Sequence, residues 1–198
     1  MTTLNLTTPI QEKQIRKLHI GDHIMISGII FTARDEAHIR ALEYAKNGTP
    51  LPFETQDSVL YHCGPIARQI KSRWEILSAG PTTSVRLKST EFIKRFGIRV
   101  IIGKGGMPEQ VKEVLRRYGA IYCSFPGGAG VFAANFIQSV ERVVWVDLGI
   151  PEAVWILKVN QFPLLVSMDS HGLSLYSKVY DHVLTQKNLL LEKLNAQK

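Results

Sequence analysis

Between residues 98 and 149 the chain repeats one figure: a strand-sized apolar run, a glycine-rich turn, then a helix-patterned segment. "IRVIIG" (98–103) leads through "KGGM" to "PEQVKEVLRRYG" (108–119). "AIYCSF" (120–125) leads through "PGGAG" to "VFAANFIQSV" (131–140), and "RVVWVDLG" (142–149) follows. Parallel neighbours need a long crossover, usually a helix, so this alternation selects an α/β fold. Pro108 sits at a favoured first-turn position. The glycines do not make Gly-x-Gly-x-x-Gly, so a dinucleotide fingerprint is absent.

The first half is less regular. "GDHIMISGIIFTARD" alternates into a strand over about 22–31, and Thr32 or Asp35 is placed to cap the helix "EAHIRALEYAKNG", with Gly48 as its stop. "SVLYHCGP" (58–65) and "RWEILSAGP" (73–81) read as strands that each end in Gly-Pro, and "TSVRLKSTEFIKRFG" (83–97) as a helix. "AVWILKVNQFPLLVSMDSHG" (153–172) reads as two closing strands with a turn near Asn160–Gln161. Strands and loops in succession favour a mixed sheet with flanking helices in a β/β/α layering over a doubly wound fold. One domain over residues 1–175 is expected, with a C-terminal amphipathic helical extension over 176–198.

Composition removes several function classes. No apolar run approaches the roughly 18 residues that span a bilayer. No basic segment followed by an apolar one opens the chain, so no signal peptide is read and a cytoplasmic protein is expected. The net charge is +7, from 24 Lys plus Arg against 17 Asp plus Glu. These basic residues are spread along the chain, without a block of like charge or interleaved aromatics, so nucleic acid is not the expected partner. Cys63 and Cys123 lie in separate expected strands, too few for an iron–sulfur cluster and not spaced for a metal.

Each expected strand-to-helix junction carries unusual residues: Arg34, Asp35 and His38; His62, Gly64 and Pro65; Gly80, Pro81, Thr82, Thr83, Ser84 and Arg86; Lys104, Gly105 and Gly106; Gly127, Gly128 and Gly130. In open α/β sheets ligands bind beyond the carboxyl ends of the strands, so these residues converge on one mouth. Its chemistry suits an anion. Arg34 and Arg86 can each grip a carboxylate in a fork, Lys104 adds a point charge, and glycine turns offer bare N–H groups. Two separate arginines match a dicarboxylate. Thr82 can act as a base only beside positive charge or through a relay, because a hydroxyl holds its proton tightly. Taken singly, these residues also read as caps, turn residues, surface pairs and packed histidines; their joint placement at strand ends carries the functional reading.

The stretches "LTTPI" (6–10), "GDHIMISGIIFTARDEAH" (21–38), "YHCGPI" (61–66), "SAGPTTSVRL" (78–87), "GKGGM" (103–107), "PGGAG" (126–130) and "LGIPEAVWILKVNQFPLLVSMDSHG" (148–172) together resemble the β subunit of the class I iron–sulfur hydro-lyases. These are class I fumarate hydratase and L(+)-tartrate dehydratase; the C-terminal domain of single-chain class I fumarases is similar. The resemblance implies a swivelling β/β/α domain and reversible hydration of a small dicarboxylate: fumarate to (S)-malate, or tartrate to oxaloacetate. It implies that a [4Fe–4S] cluster is bound by a partner α subunit rather than by this chain. The site would lie between the two subunits, in an α2β2 assembly or another oligomer.

Carried over residue by residue, Thr82 matches the base that exchanges the carbon-bound proton. Arg34 and Arg86 match substrate carboxylate binders, and Lys104 a third cationic contact. Asp35, His38, Thr83, Gly105 and Gly106 form the surrounding shell, with Asp35 orienting an arginine. "GKGGM" departs from the "AKGN" form of single-chain fumarases and points to the two-subunit branch. An anion-binding module that kept the fold and lost the chemistry is the alternative of another class.

Overall fold

The structure is a computed structural model, and it describes residues 3–83 and 89–195. Its elements in chain order are β1 (Thr3–Thr7), α1 (Glu12–Ile15), β2 (His23–Thr32), α2 (Asp35–Lys46), β3 (Val59–Tyr61), β4 (Ile66–Ile70) and β5 (Arg73–Ser78). There follow α3 (Ser89–Phe96), β6 (Val100–Gly103), α4 (Glu109–Tyr118), β7 (Ile121–Ser124), α5 (Gly130–Ala134), β8 (Ile137–Val144), a 3-10 turn (Val146–Leu148), β9 (Val154–Met168) and α6 (Leu175–Asn195).

A mixed sheet runs β1-β2-β3-β6-β7-β9-β8, the first five strands parallel and the last two antiparallel to their neighbours. β9 also pairs antiparallel with β2, from His23↔Leu165 to Phe31↔Ile156. That second pairing closes β2, β3, β6, β7 and β9 into a barrel-like circuit. The mixed α/β class with a mixed sheet and flanking helices expected from the sequence is present, and the sheet closes on itself.

Alternation explains how both faces are covered. In β3, β6 and β7, Val59, Tyr61, Val100, Ile102, Ile121 and Cys123 point into the circuit with Trp155 and Phe162 of β9. Leu60, Ile101 and Tyr122 point outward to Ala37 and Ala41 of α2, Phe92 and Phe96 of α3, and Val111 and Leu115 of α4. Strands buried on both faces read as continuous apolar runs, which is why they were legible.

Three expectations change. The turn expected near Asn160–Gln161 is a bulge within one 15-residue strand. Ile26 pairs with Phe162 and Gly28 with Val159, so Asn160 and Gln161 together face Ser27, whose hydroxyl accepts the Gln161 N–H at 2.9 Å. The helix expected over 131–140 stops at Ala134, and Ile137–Val144 becomes β8 because β9 offers a free edge. The cap of α2 is neither Thr32 nor Asp35. Arg34 is the N-cap residue, Asp35 begins the helix, and the Thr32 hydroxyl accepts from Trp155 N at 3.1 Å. β1, α1 and β4 were not anticipated. β4 is mostly exposed and hairpins onto β5, so it lacks the apolar alternation that marks a buried strand.

Asp169, fully buried after β9, ties the two chain segments at the base of the sheet. Its carboxylate accepts backbone N–H groups from Ile20 at 3.1 Å, His171 at 3.0 Å and Leu173 at 2.9 Å. Asp169→Ala removes the acceptor of three part-buried N–H groups, at up to about 1 kcal/mol each. Urea unfolding of that variant is expected to show a loss of about 2 kcal/mol, with Asp169→Asn losing less.

Candidate active site

The carboxyl ends of parallel β2, β3, β6 and β7 open at one mouth, and the polar junctions named above lie around it. After β5 the chain crosses this mouth as a strap. Ala79 N–H donates to Gly130 O at 2.8 Å, Pro81 bridges to Cys63, and Thr82 N–H donates to His62 O at 2.7 Å. The Tyr61 hydroxyl, inside the circuit, donates to Ala79 O. Thr82 is thereby held between the ends of β3 and β6: its carbonyl lies 3.2 Å from where a Cβ on Gly103 would stand.

Arg34 occupies the β2 side. Its side chain packs against Gly64, where a Cβ would come within 2.7 Å of Pro151 O, 2.8 Å of Arg34 Nη1 and 2.9 Å of Arg34 Cδ, so any larger residue forces a shift. Arg34 Nε is 3.2 Å from Glu152 Oε1. The geometry is that of an ion pair, since the buried Nε–H has no acceptor in line. The other carboxylate oxygen of Glu152 accepts Glu36 N–H at 3.1 Å, so Glu152 both faces Arg34 and satisfies the first turn of α2. The acid beside Arg34 is therefore Glu152. Asp35 sits in the same first turn, where a carboxylate meets the positive end of the helix. Glu152 was not among the expected site residues, although it stands in the quoted "LGIPEAVW"; only its closeness to Arg34 in space distinguishes it from a surface acid.

Lys104 lies exposed on the opposite rim, after β6. Its stem runs over Gly127 at the start of the β7 loop, where a Cβ would be 3.3 Å from Lys104 Cδ and 3.9 Å from Nζ. Gly105 has φ +69°, a conformation that favours glycine, while Gly106 abuts the ring of Tyr176. Thr83 is half-buried beside Thr82. Arg86 and Ser84 lie outside the described residues. The structure thus places Arg34 with Gly64 and Glu152 beyond β2, Thr82 between the ends of β3 and β6, and Lys104 with Gly127 beyond β6 and β7.

His38 and His62 lie beneath this rim, both fully buried, with ring centroids 5.4 Å apart. His38 also stacks on Phe92 at 4.0 Å. Both ring nitrogens of His38 and Nε2 of His62 lack hydrogen-bond partners. Burial lowers the His38 pKa to about 3; burial, then the neighbouring His38, pushes His62 well below its ordinary value. Both rings are neutral packing groups at neutral pH.

The thiols of Cys63 and Cys123 are buried in the barrel core, and burial pushes both pKa values up, so both stay protonated. Among the described residues no three His, Cys, Asp or Glu side chains are grouped to hold a metal ion. These two protonated thiols do not fit an iron–sulfur cluster, which needs thiolates in larger number.

The buried histidines predict a pH dependence. In the unfolded chain each protonates near pH 6.5, whereas folded His38 resists protonation down to about pH 3. Stability is therefore full above pH 6.5 and falls as pH drops from 6.5 toward 3. The slope approaches about 1.4 kcal/mol per pH unit for each histidine. Urea unfolding across that window is expected to show the slope reduced by one proton in His38→Leu.

Residues 1–179 match the model of the Fumarase C-terminus family. A candidate L(+)-tartrate dehydratase subunit beta of Methanocaldococcus jannaschii is 43% identical over 186 residues, covering 92% of this chain and 95% of that protein. The L(+)-tartrate dehydratase subunit beta of Escherichia coli K12 is 38% identical over 176 residues, covering 87% and 86%. A candidate class I fumarate hydratase of Geobacillus stearothermophilus is 40% identical over 179 residues, covering 89% of this chain but 34% of its own.

Proposed function

Because the chain belongs to the Fumarase C-terminus family, we propose that it is the β subunit of a hydro-lyase that interconverts fumarate and (S)-malate at a site shared with an α subunit. The observation that carries this reading is the mouth itself. A threonine strap lies between an arginine braced by Glu152 and a lysine laid over a glycine loop. L(+)-tartrate as substrate is the second reading. It is favoured by the tartrate dehydratase β subunit of Escherichia coli and the candidate one of Methanocaldococcus jannaschii, which this chain matches over 86% and 95% of their lengths.

In this reading Arg34 and Arg86 hold the two substrate carboxylates and Lys104 supplies a third positive contact. Glu152 keeps the Arg34 fork turned toward the mouth. Thr82 Oγ1 exchanges the carbon-bound proton: the hydroxyl releases its proton only where cations stabilise the alkoxide, and the rim supplies them. Asp35, His38, Thr83, Gly105 and Gly106 shape the walls. Burial of His38 and His62 as neutral rings leaves the positive charge of the mouth on Arg34, Arg86 and Lys104. A [4Fe–4S] cluster held by the α subunit would supply Lewis-acid chemistry at the substrate hydroxyl. Among the described residues this chain groups no three metal-ligating side chains, so in this reading the cluster takes its ligands from the α subunit.

The proposal extends to the body. Residues 1–175 would turn as one swivelling β/β/α unit against the partner, with 176–198 as its helical extension, in an α2β2 or similar assembly in the cytoplasm. No described helix is long and apolar enough to cross a membrane.

Anaerobic turnover of the two co-expressed subunits with fumarate, (S)-malate and L-tartrate tests this directly. Thr82→Ala is expected to lower kcat by about 100-fold or more while binding of the dicarboxylate persists. Unchanged turnover in Thr82→Ala would remove the threonine from the chemistry. Turnover of tartrate alone would move the assignment to the second reading.

A further inference from the structure

Two glycines at the mouth are not explained by backbone conformation. Gly106 and Gly127 both lack the positive φ that favours glycine. Gly105 and Gly128, their neighbours, have it, at +69° and +81°. What Gly106 and Gly127 leave is room. A Cβ on Gly106 would stand 3.2 Å from Cδ2 and Cγ of Tyr176, tighter than ordinary van der Waals contact. A Cβ on Gly127 would stand 3.3 Å from the Lys104 stem. The turn that carries Lys104 is thus gripped on one side by an aromatic ring, and the lysine stem is laid into a gap on the other.

The ring is itself held. Tyr176 is the second residue of α6, 70 residues from Gly106 in the chain. Its hydroxyl lies 2.6 Å from Ser124 Oγ at the end of β7. Ser124 Oγ lies 2.6 Å from Ser167 Oγ of β9, which donates to Leu165 O at 3.2 Å. Phe125 N–H donates to Gly103 O at 2.9 Å, so the strand end that holds the hydroxyl also holds the start of the lysine turn. Farther along, α6 leaves the body: Val179, Tyr180, Val183, Leu190 and Leu194 are all more than half exposed.

We propose that Tyr176 is a positioning residue for Lys104: its ring clamps the Lys104–Gly106 turn and its hydroxyl anchors that clamp to β7, which makes the first turn of the C-terminal helix part of the substrate site. The proposal rests on Lys104 being a substrate-binding cation, as in the functional reading above. Its physical basis is that Lys104 is exposed and has several rotatable bonds. A fixed turn, with the stem laid along Gly127, narrows the region its ammonium can sample, and narrowing it before binding lowers the entropy lost on binding.

The test has two readouts. The first is the rate at which an amine-reactive acylating reagent modifies Lys104 in this chain, followed by peptide mass spectrometry with exposed Lys158 as internal reference. Tyr176→Ala is expected to change the Lys104 rate several-fold and leave Lys158 alone, whereas Tyr176→Phe, which keeps the ring, lies between Ala and wild type. The second readout is steady-state kinetics of the assembled enzyme. Tyr176→Ala should raise KM for the dicarboxylate about tenfold with a much smaller fall in kcat. Gly106→Ala, which pushes the ring away, should move both readouts in the same direction. An unaltered Lys104 rate in Tyr176→Ala overturns the proposal, and so does an unaltered KM in an active complex. A wild-type complex that turns over none of the dicarboxylates sinks the functional reading instead, and the labelling rates still decide whether Tyr176 holds the turn.

Discussion

The pairing of β9 with β2 is the constraint on which the rest depends. Residues 156–165 lie antiparallel along nearly the whole of β2, and the same strand carries β8 and β7 on its other edge. One strand thereby joins the first large strand of the chain to the last of the parallel set. Without it the parallel strands would form an open sheet with exposed edges, which proteins must otherwise protect. With it, Trp155 and Phe162 fill the interior against Tyr61 and Phe125, and the chain just before β9 arrives at the carboxyl ends of β2 and β3. Glu152 stands beside Arg34 for that reason alone.

The same closure shapes the electrostatics of the mouth. Its buried layer is uncharged: two protonated thiols, two neutral histidines and a tyrosine whose ionisation burial opposes. Among the described residues, charge at the rim lies on Arg34 with its acid partner and on Lys104. A low-polarity floor under a cationic rim strengthens attraction for an anion, because less of the field is screened. The strap bearing Thr82 crosses between them, fastened by backbone hydrogen bonds.

Glycine placement at the mouth divides into two physical kinds. Gly105 and Gly128 permit a left-handed backbone; Gly64, Gly106 and Gly127 leave space for Arg34, Tyr176 and Lys104. A glycine-rich turn read as an anion cradle is therefore also a set of recesses for side chains from elsewhere in the fold. The recess at Gly106 links the site to a helix that otherwise stands clear of the body.

By itself the sequence determined the α/β class, the parallel strands of the second half, the junctions where polar residues gather, and the helical C-terminus. Those features follow from local periodicity and turn chemistry, which each segment carries within itself: apolar runs for strands buried on both faces, Gly48 closing α2 with φ +68°. Tertiary structure alone decided the rest. Whether Asn160–Gln161 turns or bulges depends on β2 continuing opposite, more than a hundred residues away. Whether Ile137–Val144 coils or extends depends on a free edge of β9, since its apolar spacing suits either form. Arg34 with Glu152, and Gly106 with Tyr176, are pairs without any sequence spacing of their own. Such contacts are made by closure of the sheet, and closure is a property of the assembled strands rather than of any one of them.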